Sequence, residues 1–211
     1  MRQSWFDLLA RYRNEYPAFP PVKKLETTSI NSDAVKNFIR ECNADLVIVS
    51  GTSMIKKNIL DIPLQKGMLN LHTGLSPYIK GAPNCTNWCI ATDQLHYIGN
   101  TIMWIDAGID SGDLLLTDTV PFTGDENLPE IQFKVMQAAH ELYLGAIALV
   151  EKGIAPRVKQ ASISAGTTYY NRDWNFGQKL NLVRRLRQFK KSIQSDLYRK
   201  KLAEVKTITA L

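Results

Sequence analysis

The chain of 211 residues is short of cysteine: Cys42, Cys85 and Cys89 are an odd number with no C-x-x-C spacing. That argues against a disulfide framework and for a reducing, cytoplasmic setting. Cys85 and Cys89 stand four apart, but without a further cysteine or a nearby histidine at ligand spacing no metal site is expected. A long apolar run is also missing. No segment approaches the ~18–20 uninterrupted apolar residues a membrane span needs. Asp7, Arg11 and Arg13 interrupt the N-terminal stretch where a signal peptide would need to be apolar. Internal repeats and low-complexity segments are absent, which leaves an ordinary globular reading.

Hydrophobic content of 45% and charged content of 22% fit that reading, and the length allows one domain with a substantial core and a small appendage. The net charge of +6 is uneven. Residues 172–206 hold eleven Lys/Arg against three Asp/Glu, a local +8 that leaves −2 for the rest. Such a run is ordinarily a solvated helix face; the sharper reading is a phosphate-bearing partner, RNA included.

The periodicity predicts a helix over 4–16 with Trp5, Leu8, Leu9 and Tyr12 on one side, stopped by Pro17, Pro20 and Pro21. Ser32 caps a second helix through Val35, Phe38 and Ile39. The apolar run 46–49 fits a strand buried on both faces. Strands follow at about 68–72, 98–105 and 114–120, with a helix over 83–92. A long helix covers 128–152, capped by Glu126 or Asn127, with Ile131, Val135, Ala138, Leu142 and Leu149 as its buried stripe. A short strand is expected at 168–170, and beyond it Leu180, Val183, Leu186, Phe189, Ile193 and Leu197 keep helical spacing. This alternation predicts an α/β fold with a mixed or parallel sheet, divided into a body (1–165) and a basic, mostly helical extension (166–211).

Asn70 and His72 stand two apart where a strand runs into a Gly/Pro loop, so an amide and an imidazole project from one face. The ends of strands in open α/β sheets are where sites form. A second such junction, residues 104–113, sets Asp106, Asp110 and Asp113 among glycines. Each residue has a structural reading when taken singly: a core histidine, a turn amide, a turn aspartate. His96 and His140 lack partners at useful spacing and are read as structural.

Asn70-Leu-His72, the Pro77/Gly81 loop and the Ile109–Gly112 turn, with Asp110 following His72 by 38 positions, resemble the signature of the tetrahydrofolate-dependent formyltransferases. That family includes glycinamide ribonucleotide transformylase, methionyl-tRNA formyltransferase and the amino-sugar nucleotide N-formyltransferases. Its serine after His-x is Gly74 here, and its Leu-Leu-Pro reads Leu75-Ser76-Pro77. The resemblance implies a Rossmann-like, mostly parallel sheet and 10-formyltetrahydrofolate as co-substrate. It also implies Asn70 and His72 as donors to an oxyanion, and Asp110 as the proton acceptor. The pterin is expected against Ser53, Met54 and Ile55 on one side and Asp106, Ala107 and Gly108 on the other, with Asp106 shaping its loop.

Relative to that family the chain lacks the first βαβ stretch, on the order of 40 residues. A sheet missing its first strands exposes an edge, which a homodimer would cover. The 55 residues after Pro156 read as helical and not as the β-barrel of the tRNA enzyme, and the Gly-rich phosphate loop of the ribonucleotide enzyme is absent. A nucleotide-linked amino sugar is therefore the expected acceptor, with Tyr169, Tyr170, Trp174 and the basic residues holding its nucleotide. A non-catalytic binding protein of the same fold is the alternative, as is formyl transfer to glycinamide ribonucleotide or an aminoacyl-tRNA.

Overall fold

The computed structural model describes residues 2–209. Its elements, in chain order, are α1 (Arg2–Glu15), α2 (Asp33–Glu41), β1 (Leu46–Ser50), α3 (Lys57–Leu60), β2 (Gly67–His72), β3 (Ile79–Gly81) and α4 (Cys85–Ala91). They continue as β4 (Gly99–Trp104), β5 (Leu114–Thr119), α5 (Leu128–Glu151), β6 (Thr167–Tyr169), α6 (Phe176–Leu186), α7 (Phe189–Ile193) and α8 (Asp196–Ala203). Among the described residues no helix is long and apolar enough to cross a membrane.

Four strands form the main sheet in the order β1-β2-β4-β5. β1 and β2 are parallel, while β4 runs antiparallel to both its neighbours. Three strands therefore point one way and β4, inserted between β2 and β5, points the other. The fold is α/β, with a sheet that is mixed in its pairings and mostly parallel in strand direction.

β1 is not buried on both faces. Val47 and Val49 face a cluster with Val35, Ile59, Ile62 and Met68, but Ile48 is 52% exposed. The reason is position: β1 is the sheet's edge, and among the described residues no strand pairs along its outer side. The strand buried throughout is β4. The opposite edge is closed. Leu114 of β5 bridges Val158, and Thr117 N–H donates to the Ile208 carbonyl at 2.9 Å while Ile208 N–H donates to Thr117 Oγ1 at 2.8 Å.

α5 begins with a full capping box between Asn127 and Glu130 and carries a proline in its first turn. Its buried stripe runs Ile131, Val135, Ala139, Tyr143, Ala146 and Val150. Ala138, Leu142 and Leu149 sit beside that line and are half-buried. The Tyr143 hydroxyl accepts from Val49 N–H at 2.9 Å and donates to the Leu69 carbonyl at 2.8 Å, tying β1 to β2 beneath the helix. Tyr143→Phe is expected to destabilise the fold by about 1–3 kcal/mol, the usual cost of stranding a buried polar group. Urea unfolding of the two proteins measures it; an unchanged midpoint would contradict the role given to the hydroxyl.

The segment past residue 166 is built into the body. β6 lies parallel to β3, and Leu182, Phe189 and Ile193 share a core with Ile79, Cys89, Ile90, Ile98, Ile131 and Val135. Leu180, Val183 and Leu197, which share the helical spacing of Phe189 and Ile193, are exposed. Breaks between α6, α7 and α8 reset the helical phase, so one stripe cannot run through all three. Two of its cations pair with acids of the body, Arg185 with Asp93 and Lys190 with Asp125. α1 uses Leu8 as its buried contact, and Tyr12 packs against Phe133 of α5 with the rings tilted by 36°; Trp5 stays half exposed.

Candidate functional site

The carboxyl ends of β1 and β2 open into a cleft of about 820 Å³, within the range of small-molecule sites. Asn70 and His72 both line it, as i,i+2 residues of one strand must when one of them does. The Asn70 amide makes no hydrogen bond to any described residue, so its N–H donors are free for a ligand.

His72 is held from several sides. Its Nδ1 lies 3.5 Å from Asp110 Oδ2, and its Nε2 lies 3.4 Å from Cys85 Sγ. The loop after it is fixed by Thr101 of β4, whose hydroxyl donates to the Gly74 carbonyl at 2.7 Å and accepts from Ser76 N–H at 2.8 Å. Burial pushes the His72 pKa down, opposed by the Asp110 carboxylate and the Ile79 backbone. The ring is therefore neutral at neutral pH. A carboxylate only accepts, so the proton of that neutral ring belongs on Nδ1.

Asp110 takes a positive φ of 48° in its glycine-flanked turn. Its Oδ2 accepts from Gly81 N–H at 3.1 Å. Gln160 clamps the turn from behind, donating from Nε2 to the Asp110 carbonyl at 2.7 Å and the Gly112 carbonyl at 2.9 Å. Nothing local in the sequence points to Gln160, fifty positions away, or to Cys85 as a neighbour of the imidazole.

Ser53, Met54, Ile55, Asp106 and Gly108 line the cleft, and Ala107 does not. Met54 is 55% exposed at its rim, whereas Ile55 is buried and belongs mainly to the core under β1. Asp106 Oδ1 accepts from Gly108 N–H at 2.9 Å and Ser111 Oγ at 2.7 Å, which makes it a loop-shaping residue. Asp113 pairs with Lys159. Of the aromatics read as a nucleotide platform, two are committed elsewhere. Tyr169 stacks on Trp88 at 4.2 Å and Trp174 packs edge-on at 4.7 Å. Tyr170 remains exposed, with the Arg172 guanidinium 5.1 Å from its ring centre, and the adjacent Asn171 lines the cleft.

Comparison with known proteins gives this constellation a family. The family model described as "Formyl transferase" matches residues 6–147. The chain is 35% identical to the methionyl-tRNA formyltransferase of Clostridium tetani (strain Massachusetts / E88) over 138 residues, 64% of this chain and 44% of that protein. It is 31% identical to the methionyl-tRNA formyltransferase of Clostridium beijerinckii (strain ATCC 51743 / NCIMB 8052) over 173 residues, 77% of this chain and 52% of that one. It thus spans about half the length of the curated relatives it matches. Among solved structures, a sugar N-formyltransferase from Shewanella sp FDAARGOS_354 superposes with a TM-score of 0.60 at 16% identity, covering 87% of this chain and 82% of that one. The formyltransferase PseJ from Anoxybacillus kamchatkensis gives 0.56 at 23% identity, covering 82% and 84%. The stretch matched by that family model takes in Asn70, His72 and Asp110, and the chain belongs to the formyltransferase family.

Proposed function

We propose that this chain transfers the formyl group of 10-formyltetrahydrofolate to a primary amine, with Asn70, His72 and Asp110 as the reacting constellation. The observation that carries the reading is the unpaired Asn70 amide beside the His72–Asp110 pair in one cleft. The amine nitrogen bonds to the formyl carbon, whose oxygen becomes an oxyanion, and collapse breaks the bond to the folate nitrogen, which takes up a proton. Asn70 donates to the oxyanion, where fixed donors count most. The His72–Asp110 pair, its ring neutral when the amine arrives, takes up the amine's proton, and the Asp110 carboxylate steadies the resulting imidazolium. The sequence alone suggested Asp110 as acceptor; a neutral imidazole braced by Asp110 is the better base. Apolar Met54 at the rim, with Asp106 and Gly108 opposite, suits the face of a flat heteroaromatic ring.

A nucleotide-linked amino sugar is the acceptor we favour. PseJ is described in complex with UDP-4,6-dideoxy-4-formamido-L-AltNAc and tetrahydrofolate, and this chain covers most of its length. An aminoacyl-tRNA is the second reading, favoured by the tRNA-enzyme relatives and the basic segment 172–206.

Two measurements test the proposal. Incubation with 10-formyltetrahydrofolate and UDP-, dTDP- or GDP-linked amino sugars, with methionyl-tRNA in parallel, is expected to yield a formamide from a sugar; no product from any amine would reject it. The acid limb of kcat/KM is expected below the ordinary histidine value near 6.5. The lowered His72 pKa keeps the ring neutral as pH falls past that value, and activity is lost only as pH passes the lowered one. An acid limb above 6.5 would remove His72 from the role of base.

A further inference from the structure

We propose that Cys85 is a positioning residue for His72, its thiol serving the ring's Nε2 from the space that a side chain at position 74 would otherwise fill. Three distances define the arrangement. Cys85 Sγ lies 3.4 Å from Nε2 and 3.5 Å from the Gly81 carbonyl oxygen, and a Cβ at Gly74 would lie 2.5 Å from that same Nε2. It would also lie 2.7 Å from Cys85 Cβ and 2.9 Å from Sγ. Position 74 is where the family pattern carries a serine. In this chain Gly74 brings no side chain to the loop, and the Cys85 thiol from α4 lies against the ring there.

The chemistry of the ring explains why the helix supplies a thiol. With Nδ1 facing the Asp110 carboxylate at 3.5 Å and the ring proton assigned to it, Nε2 holds a lone pair, and only a donor satisfies it. A thiol donates one proton, and here it has two acceptors to choose from, Nε2 and the Gly81 carbonyl. While the ring is neutral, S–H points at Nε2. When Nε2 takes a proton, the thiol turns to the Gly81 carbonyl and the sulfur accepts from Nε2–H. Both protonation states of His72 are thereby matched by one residue without loss of a proton from sulfur. Burial and the Asp110 charge push the thiol's pKa up, so it stays protonated and has no nucleophilic part to play. The direction of Sγ is set by the start of α4, where the Asn84 side chain accepts from Asn87 N–H at 2.9 Å. Cys89, one turn further on, lies in the apolar core and has no such neighbour.

The inference rests on the formyl-transfer reading only where rates are concerned, so it is tested by two readouts on the full chain. Nitrogen-15 NMR of the His72 ring reports its tautomer and titration; the Asp110 carboxylate and the Cys85 thiol are the titratable groups in contact with it. In the unmutated chain a single Nδ1–H tautomer is expected, with a midpoint below 6.5. Cys85→Ala should give mixed tautomers and a midpoint moved up toward 6.5, with kcat for formyl transfer down about tenfold at unchanged KM. Cys85→Ser should restore the single tautomer and most of the rate. Gly74→Ala, which keeps the thiol in the sequence but wedges a methyl against both the ring and Cys85, should reproduce the mixed tautomers if Cys85→Ala does not fold. A single tautomer and an unmoved midpoint in Cys85→Ala, or a serine variant that behaves like alanine, would reduce Cys85 to packing. Tautomers that respond as expected in a chain that formylates nothing would leave the positioning intact and sink the proposed function instead.

Discussion

Asn70→Ala is expected to lower kcat for formyl transfer by about 10²–10³, the usual loss when one oxyanion donor is removed. The effect belongs in kcat because the donor matters most once charge has developed on the formyl oxygen; KM for the folate should change little. The same variant should melt with the unmutated chain. The Asn70 side-chain amide makes no hydrogen bond to a described residue, so truncation strands no partner, and changes of this kind stay within about 0.5 kcal/mol. Steady-state kinetics beside a thermal melt separates the two quantities. Turnover at the unmutated rate would end the assignment, and a large loss of stability would mean that Asn70 is structural.

Gly81→Ala should be a strongly damaging methyl in the loop region. Gly81 has a φ of 92°, and an added Cβ would lie 2.0 Å from the Tyr169 carbonyl oxygen. That oxygen is backbone and belongs to the β3–β6 pair, so it cannot step aside as a side chain would. The left-handed conformation costs a β-carbon about 1–2 kcal/mol, and forced overpacking adds about 1–3. We expect a destabilisation of about 2–5 kcal/mol. Activity should fall too, because Gly81 N–H anchors Asp110 and any retreat of β3 carries that donor away. Gly153→Ala is the control: its φ is 70° but nothing lies within 4 Å of the added atom, so only the conformational cost of about 1–2 kcal/mol should appear. Equal midpoints for the two variants in denaturant would show that the contact with Tyr169 relaxes freely.

Asn70, His72 and Asp110 were readable from sequence because each is advertised locally, two by strand spacing and one by flanking glycines. Cys85 and Gln160 were not, since both reach the site through tertiary packing that brings α4 and the 160–162 turn against distant loops. The direction of β4 was hidden for a related reason. An apolar run shows that a strand is buried but not which way it points, and only the short Gly-rich link at 105–113 hinted at a hairpin to β5. Ile48 misled because four apolar residues in a row look alike whether or not a neighbouring strand covers them. In the basic segment, spacing alone could not reveal that α6, α7 and α8 are separate helices, and so Leu180 and Val183 face solvent where Leu182 and Phe189 are buried.

The closure of β5 by residue 208 sets a timetable for the nascent chain. Thr117 and its partner Ile208 are 91 positions apart, and at ribosomal speeds of about 5–20 residues per second the partner is made roughly 5–20 s after the strand. During that interval the finished sheet has two open edges instead of one, and β5, with Leu114, Leu115 and Leu116 in sequence, is the stickier of them. The period of greatest vulnerability for this protein therefore falls during its own synthesis, and it ends when Ile208 reaches Thr117.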